Sequence, residues 1–319
     1  MSAGEPSVLD AALDRTVVLS YSRIGYVLRC RHFAPGDLRR MDGQVALVTG
    51  ASSGIGLAAA VGFAGLGATV WIVARDRERG ERARDWLRQQ SGSAAHELAV
   101  CDLSDLGSVR GLAASLRRSI SRLDVLVHNA AVLTHEHRLS PDGIELTMAT
   151  NVVGPHLLTH ELEPLLRRGS RVVNVSSGGM YSQRLKLVLL AHQASNTRGT
   201  ALYAQSKRML VILSELWADR LRERGVAVNA MHPGWVDTPG LDRSLPAFHR
   251  ISRRLLRTPE QGADTIVWLG CSRLGGDSSG GFWFDRARRP THYLPFTRET
   301  AAERDRLWLE VERLAGTAG

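Results

Sequence analysis

Tyr203 and Lys207 stand four residues apart in Tyr203-Ala204-Gln205-Ser206-Lys207. On a helix that spacing places both side chains on one face. A phenol with an ordinary pKa of ~10 exchanges a proton reluctantly at neutral pH. An ammonium beside it stabilises the phenolate and lowers that value. The pair can then trade a proton with an alcohol or carbonyl oxygen. Tyr-x-x-x-Lys also arises by chance, as an amphipathic tyrosine beside a surface lysine, so its company matters. Ser176-Ser177 closes a short apolar run, Val172 to Val175. A hydroxyl there either polarises a substrate oxygen or caps a turn. Asn151 lies within a helical stretch, in Thr150-Asn151-Val152-Val153-Gly154. A buried asparagine needs partners. It either kinks the helix and holds a water linked to Lys207, or it binds backbone.

These side chains need a scaffold that gathers them. Short β-runs at Val45–Val48, Thr69–Val73, Leu98–Cys101, Val125–Val127, Val172–Val175 and Val226–Ala230 alternate with helical stretches. The helices are expected at Leu57–Leu66, Arg77–Gln90, Leu106–Ile120, Gly143–Leu166 and Ala201–Arg224. This alternation predicts an α/β chain with a doubly wound, mainly parallel sheet, the Rossmann fold. Ligands then bind at the carboxyl ends of the strands, where Ser177 lies. A helix from Thr258 to Leu269, a last strand Gly281–Phe284 and a charged helix Arg298–Leu314 complete the expected domain, residues 41–319. Residues 1–40 read as an N-terminal extension. In it Val17–Cys30 forms a short amphipathic helix, broken by Phe33-Ala34-Pro35-Gly36.

The first β-run leads into Thr49-Gly50-Ala51-Ser52-Ser53-Gly54-Ile55-Gly56. Gly50 can take a positive φ, Gly54 lets the backbone approach a pyrophosphate, and Gly56 lets the next helix pack on the sheet. The N–H groups of that helix start then face phosphate. A strand before and a helix after argue against a ligand-free glycine turn. The second run ends Val73-Ala74-Arg75-Asp76. An acid in place of Ala74 would accept from the ribose hydroxyls of NAD(H), whereas Arg75 can pair with a 2′-phosphate, so NADP(H) is favoured over NAD(H). The other readings are Arg75 as a surface arginine and Asp76 as a ribose acceptor. Asp102 either accepts from an adenine amino group, beside the Leu103 N–H, or caps the following helix. Asn129-Ala130-Ala131 lets the chain pass close to an adenosine, or is an ordinary strand-end turn.

Taken in order, these elements resemble the short-chain dehydrogenase/reductase family: Thr49 to Gly56, Asp102, Asn129-Ala130-Ala131, Asn151, Ser177, Tyr203 with Lys207, then Pro233-Gly234 with Thr238. Ser176 to Met180, His232 to Gly240 and Gln261 to Thr265 resemble the family's dehydrogenase/reductase SDR family member 12 group. The resemblance implies a catalytic tetrad of Asn151, Ser177, Tyr203 and Lys207, with Ser177 rather than Ser176 nearer the substrate. It implies that Pro233 and Gly234 pack on the nicotinamide, that Val236 and Thr238 meet its carboxamide, and that Lys207 binds its ribose. The positive ring of an oxidised cofactor would further favour the Tyr203 phenolate. Two departures stand out. Asn129-Ala130-Ala131 replaces the usual Asn-Ala-Gly, and a long insert, Tyr181 to Thr200, separates Ser177 from Tyr203. That insert and the loop 235–256 are expected to wall a pocket for a small carbonyl or alcohol substrate. Their leucines and Phe248 suit a lipophilic one, and Arg243, Arg250, Arg253 and Arg254 suit an acidic group. The competing reading is a catalytically silent cofactor-binding regulator, against which the intact tetrad argues.

Composition bounds the setting. The formal net charge is +9. Basic residues spread along helices, without interleaved aromatics, argue against nucleic acid. They read as a solvated positive surface that steers anionic ligands or touches an acidic membrane. Three scattered cysteines make neither a disulfide framework nor a metal site, which points to the cytoplasm. The N-terminus lacks the pattern of a secretory signal. Family members form homo-oligomers through the helices ending near Leu166 and Arg224, which an added C-terminal helix would obstruct.

Overall fold

Ala46, Leu47 and Val48 are apolar in succession, as a strand covered on both faces requires, and all three are fully buried. The structure is a computed structural model that describes residues 10, 13–14, 16–34, 36–190 and 197–318. In chain order its main elements are α1 (Val17–Tyr21), α2 (Arg23–Cys30), β1 (Val45–Thr49), α3 (Gly54–Gly65), β2 (Thr69–Ala74), α4 (Arg77–Ser91), β3 (Glu97–Val100), α5 (Leu106–Ser119) and β4 (Leu123–His128). There follow α6 (Gly154–Leu162), β5 (Leu166–Val175), α7 (Gly199–Arg220), β6 (Ala227–Met231), α8 (Pro239–Ser244), α9 (Pro246–Ser252), α10 (Pro259–Cys271), β7 (Phe282–Phe284), β8 (Ala287–Arg289) and α11 (Ala301–Ala315).

Among the described residues the strands form one sheet in the order β3-β2-β1-β4-β5-β6-β7-β8. It is parallel as far as β7, and β8 runs antiparallel to β7. Leu112, Leu157, Ile212 and Leu307 belong to the core on one face, and Ala59, Phe63, Ile266 and Trp268 to that on the other. This is the doubly wound Rossmann architecture. The order turns back at β1, so β1 and β4 part at their carboxyl ends and open a crevice there.

Three elements differ from expectation. The helix expected over Gly143–Leu166 is interrupted by a π-helical turn, Ala149–Val153, and ends early because Leu166 already begins β5. The last strand turns back into β8 through Asp285 and Arg286, whose φ values are 47° and 59°. Left-handed backbone costs a non-glycine residue about 1–2 kcal/mol. Ion pairs offset it here: Arg286 Nη2 meets Asp264 Oδ1 at 2.6 Å, and Asp285 takes Arg257 Nη1 at 2.6 Å and Arg29 Nη1 at 3.0 Å.

The single amphipathic helix expected at Val17–Cys30 is two helices broken at the extended Ser22. Ser20, Ser22, Gly25 and Arg29 are buried, so one face of this arm belongs to the interior. Arg29 holds Asp10 and Asp14, each at 2.7 Å. Pro35, part of the expected break, lies outside the described residues. Arg29, Arg208, Arg257 and Arg289 are all buried, so the positive composition is not only solvated surface.

Candidate active site

The carboxyl ends of β1, β2, β4, β5 and β6 frame a cavity of about 690 Å3. Of the residues singled out from sequence, Gly50, Ser52, Ser53, Gly54, Ile55, Gly56, Arg75, Asp102, Leu103, Asn129, Ala130, Ser177, Tyr203, Lys207, Pro233, Gly234, Val236 and Thr238 line it. Asn151 does not; its neighbour Thr150 does.

The glycine loop is shaped for close approach. Gly50 and Gly54 have φ of 65° and 57°. A methyl on Gly50 would stand 2.8 Å from the Ala130 Cα, and one on Gly56 2.4 Å from Asn129 Nδ2. Asn129 Nδ2 donates to the Thr49 carbonyl at 2.9 Å, and Thr49 Oγ1 accepts from the N–H groups of Asn129 and Ala130 at 3.0 and 3.1 Å. Thr49, which opens the glycine motif but was given no role of its own from sequence, thus ties β4 to the loop. The start of α3 carries no side-chain cap, which leaves its N–H groups for phosphate. The cradle therefore fits a dinucleotide.

At its outer end Arg75, between β2 and α4, is exposed, and Arg79, in the first turn of α4, also lines the cavity. Arg79 Nη2 donates to Ser53 Oγ at 3.4 Å. Arg79 was hidden among the many arginines of α4, and no spacing in the sequence marks it. Asp76 Oδ1 accepts from the Arg79 N–H at 2.8 Å, so it caps α4. Asp102 does not cap α5; Asp105 does. Asp102 Oδ1 accepts from the Ser104 N–H and Oγ at 2.9 and 2.7 Å.

At the inner end, α7 presents Tyr203 and Lys207. Lys207 Nζ lies 5.5 Å from the Tyr203 ring centroid and donates to the Val175 carbonyl at 2.8 Å. Burial pushes the Lys207 ammonium down to about 7 and the Tyr203 phenol up to about 12. Burial alone sets the direction at Tyr203, and the lowering expected from a charged amine and an oxidised nicotinamide has no counterpart in the chain by itself. Ser176 Oγ donates to the Lys207 carbonyl at 2.9 Å, whereas Ser177 Oγ accepts from the Gly179 N–H at 3.3 Å beside the cavity. Asn151 Oδ1 accepts from the Val132 N–H at 2.9 Å, and Nδ2 donates to the Val132 carbonyl and Ser206 Oγ, both at 3.0 Å. Both its N–H groups are engaged on protein, so the side chain binds backbone, with Ser206 added, and the helix is also kinked at Asn151 by the π-helical turn Ala149–Val153.

The substrate end is lined by Leu133, Trp235, Leu241, Arg243, Ser244, Leu245 and Phe248. Trp235 and Phe248 meet edge to face at 5.2 Å. The loop 235–256 thus contributes as expected, but Arg250, Arg253 and Arg254 stay off the wall. The insert contributes less. Of its described residues only Thr200 lines the cavity, because Leu185, Leu189 and Leu190 are buried in the core. Gln205 Nε2 holds that loop down through the Arg184 carbonyl at 2.5 Å. Residues 191–196 lie outside the described residues.

A family model described as short chain dehydrogenase matches residues 44–247. The chain belongs to the short-chain dehydrogenase/reductase family. It is 38% identical over 302 residues to Dehydrogenase/reductase SDR family member 12 of Homo sapiens, covering 93% of this chain and 94% of that protein. It is 32% identical to Retinol dehydrogenase 14 of Mus musculus, with 98% of each chain covered. A solved short chain dehydrogenase from Burkholderia cenocepacia, in complex with NADP, is similar at 26% identity and a TM-score of 0.63, over 76% of this chain and 96% of that one. As a member of this family the short-chain dehydrogenase is an oxidoreductase. Among its described residues no helix is long and apolar enough to cross a membrane, and no group of three or more His, Cys, Asp or Glu could hold a metal.

Proposed function

We propose that this oxidoreductase interconverts a carbonyl and an alcohol with NADP(H). The observation that carries the reading is one continuous cavity with Arg75 and Arg79 at one end and Ser177, Tyr203 and Lys207 at the other. When bound, the nicotinamide supplies the hydride. In the reducing direction Ser177 Oγ donates to the substrate oxygen and Tyr203 Oη gives it the proton. Lys207 spends one N–H on Val175 and keeps two for ribose hydroxyls and for holding charge beside Tyr203. Asn151 holds Val132 and Ser206, and through Ser206 the register of α7. The other tetrad and cofactor assignments are those expected from sequence. The apolar wall of Leu133, Trp235, Leu241, Leu245 and Phe248 suits a lipophilic carbonyl or alcohol, and the retinol dehydrogenase relative is consistent with that choice.

The test is turnover of a ketone and aldehyde panel with NADPH and NADH, using wild type and Tyr203→Phe. Reduction of lipophilic members, dependent on Tyr203 and faster with NADPH, is the expected result. Bound NADPH with no turnover across the panel would instead favour the silent regulator.

The proposed setting is cytoplasmic with peripheral membrane contact. Val17, Val18, Leu19 and Ile24 are exposed on the arm beside exposed Arg23 and Arg31. Apolar side chains flanked by arginines suit an anionic bilayer surface. Co-sedimentation with phosphatidylserine vesicles should fall when those four residues are changed to serine.

A further inference from the structure

The cavity floor is made by two loops, Ser176–Gly179 after β5 and His232–Thr238 after β6. Between them sits a residue of the N-terminal arm. The Tyr21 ring lies 4.7 Å from that of His232, 6.1 Å from Trp235 and 5.4 Å from Phe284, all edge to face. On its other side it rests on Gly178: a methyl there would stand 2.4 Å from Tyr21 Cε2. Glycine is therefore needed at Gly178, next to Ser177, to admit the Tyr21 ring.

The arm's backbone grips the same place. The Tyr21 carbonyl accepts from the Trp235 N–H at 2.9 Å and from Arg257 Nε at 3.0 Å. The Ser22 carbonyl accepts from Arg257 Nε at 3.2 Å, and the Ser20 carbonyl from Arg257 Nη2 and Arg29 Nη1, both at 3.0 Å. The Ser20 and Tyr21 carbonyls lie at the end of α1, where the helix runs out of its own N–H donors, and the Ser22 carbonyl accepts in addition from the Tyr26 N–H of α2 at 3.3 Å. Arg257 Nη1 also donates to the Pro233 carbonyl at 3.3 Å. Gly234, with φ of 78°, passes so close that a methyl on it would stand 2.7 Å from the Tyr21 oxygen and 2.5 Å from Arg257 Nε. Asp285 fixes both arginines from below. A buried network of this kind is rigid when every member is satisfied, and it fails as a unit.

We propose that the arm is part of the active site: Tyr21, with Arg257, is a positioning residue that sets the nicotinamide loop Pro233–Trp235 against the Ser177 turn. This rests on the cofactor reading above. Tyr21, Arg29, Arg257 and Asp285 all lie outside residues 44–247, so the device is added to the core of the family fold.

The geometry confines the effect to one half of the cofactor, which gives the test its control. NADPH and 2′,5′-ADP, the fragment lacking the nicotinamide, are titrated against wild type, Tyr21→Phe and Tyr21→Ala. NADPH is followed by its fluorescence and 2′,5′-ADP by titration calorimetry. Tyr21→Ala should weaken NADPH about tenfold, the loss of ~1.4 kcal/mol, and leave 2′,5′-ADP within about twofold. Tyr21→Phe, which keeps the ring, should hold both at wild-type values. Should the alanine variant fail to fold, Tyr21→Leu keeps apolar volume in the seat and should show the same selective loss. Unchanged NADPH affinity in a folded variant overturns the proposal. Equal weakening of both ligands also overturns it, because that is what general destabilisation would do. Wild type that binds 2′,5′-ADP but no NADPH would sink the cofactor reading, and this inference with it.

Discussion

Lys207 Nζ donates to the Val175 carbonyl at 2.8 Å, so the amine facing Tyr203 is anchored to the strand that runs into Ser177. That bond joins α7 to β5 and fixes the distance between the two halves of the proton-handling site. It also places an amine in an interior that disfavours its charge, which brings it down to about 7.

Stability should therefore depend on pH above neutrality. An unfolded lysine holds its proton to about 10.4, whereas folded Lys207 releases it near 7. Between those values the unfolded state binds more protons, so stability rises with pH. Below 7 both states are charged, and the cost of the buried ammonium is present in full. Burial raises the Cys101 thiol to about 11 and the Tyr203 phenol to about 12, and these oppose the rise once unfolded thiols and phenols ionise. The clean window is pH 7 to 8, below the ~8.5 at which an unfolded thiol ionises. Urea unfolding of wild type should gain on the order of 1 kcal/mol across it, and Lys207→Met should flatten the rise. Equal slopes for the two proteins would refute the assignment.

The adenosine end makes a separate prediction. Arg75, between β2 and α4, and Arg79, in the first turn of α4, lie at the same end of the cavity, and Arg79 reaches Ser53 in the glycine loop. A planar guanidinium with paired donors suits a phosphate. Arg75→Ala and Arg79→Ala should each lower kcat/KM for NADPH roughly tenfold and leave NADH within about twofold. Their combination should bring the two cofactors close to parity. An unchanged NADPH-to-NADH ratio in both single variants would contradict the 2′-phosphate site.

What the chain disclosed in advance follows from how local each signal is. The strands showed themselves because Val45 to Val48 or Val172 to Val175 are apolar in unbroken runs. The glycine loop and the Tyr203–Lys207 pair are marked by short spacings. Arg257 carried no such mark. It is one arginine among many, and its partners Asp285, Tyr21 and Ser22 lie 28, 236 and 235 residues away. The β7–β8 turn was equally hidden, since Asp285-Arg286 lacks the glycine or asparagine that usually signals positive φ. Its conformation is set by ion pairs to other elements. The insert misled for the opposite reason: Leu185, Leu189 and Leu190 are apolar enough for a pocket wall, but equally fit for the core that takes them.

Asn151 offers a third prediction. It is almost fully buried and joins the Val132 backbone to Ser206 on α7 through three hydrogen bonds. Asn151→Ala should strand the Val132 groups and cost about 2–4 kcal/mol. Because Tyr203 and Lys207 ride on the helix that Ser206 anchors, kcat should drop more than the cofactor KM rises. Ser206→Ala removes only one of the three bonds and should cost about 1 kcal/mol. Equal losses from the two variants, by thermal unfolding, would show that the Val132 bonds add nothing.

The C-terminal helix carries a last prediction, on self-association. Leu307, Val311 and Ala315 are fully buried in the core that includes Leu157 of α6 and Trp217 of α7. Trp308 packs 4.8 Å from His156 and 5.0 Å from Trp217, and the Arg220 guanidinium lies 4.8 Å over its ring. Arg110 Nη2 donates to the Ala315 carbonyl at 2.5 Å and fastens the far end. The face of α6 and α7 through which family members were expected to associate is thus occupied from within the chain. Sedimentation velocity at micromolar concentration should find a monomer. Leu307→Asp buries an unpaired charge, should cost about 3 kcal/mol or more, and should loosen the helix from that face. The variant should then self-associate as apolar surface on α6 and α7 becomes exposed. A wild-type dimer or tetramer would mean either that association uses another face or that the C-terminal helix itself forms the interface. Leu309, exposed on the outer side of that helix, separates the two, since Leu309→Arg would dissolve only the second kind of oligomer.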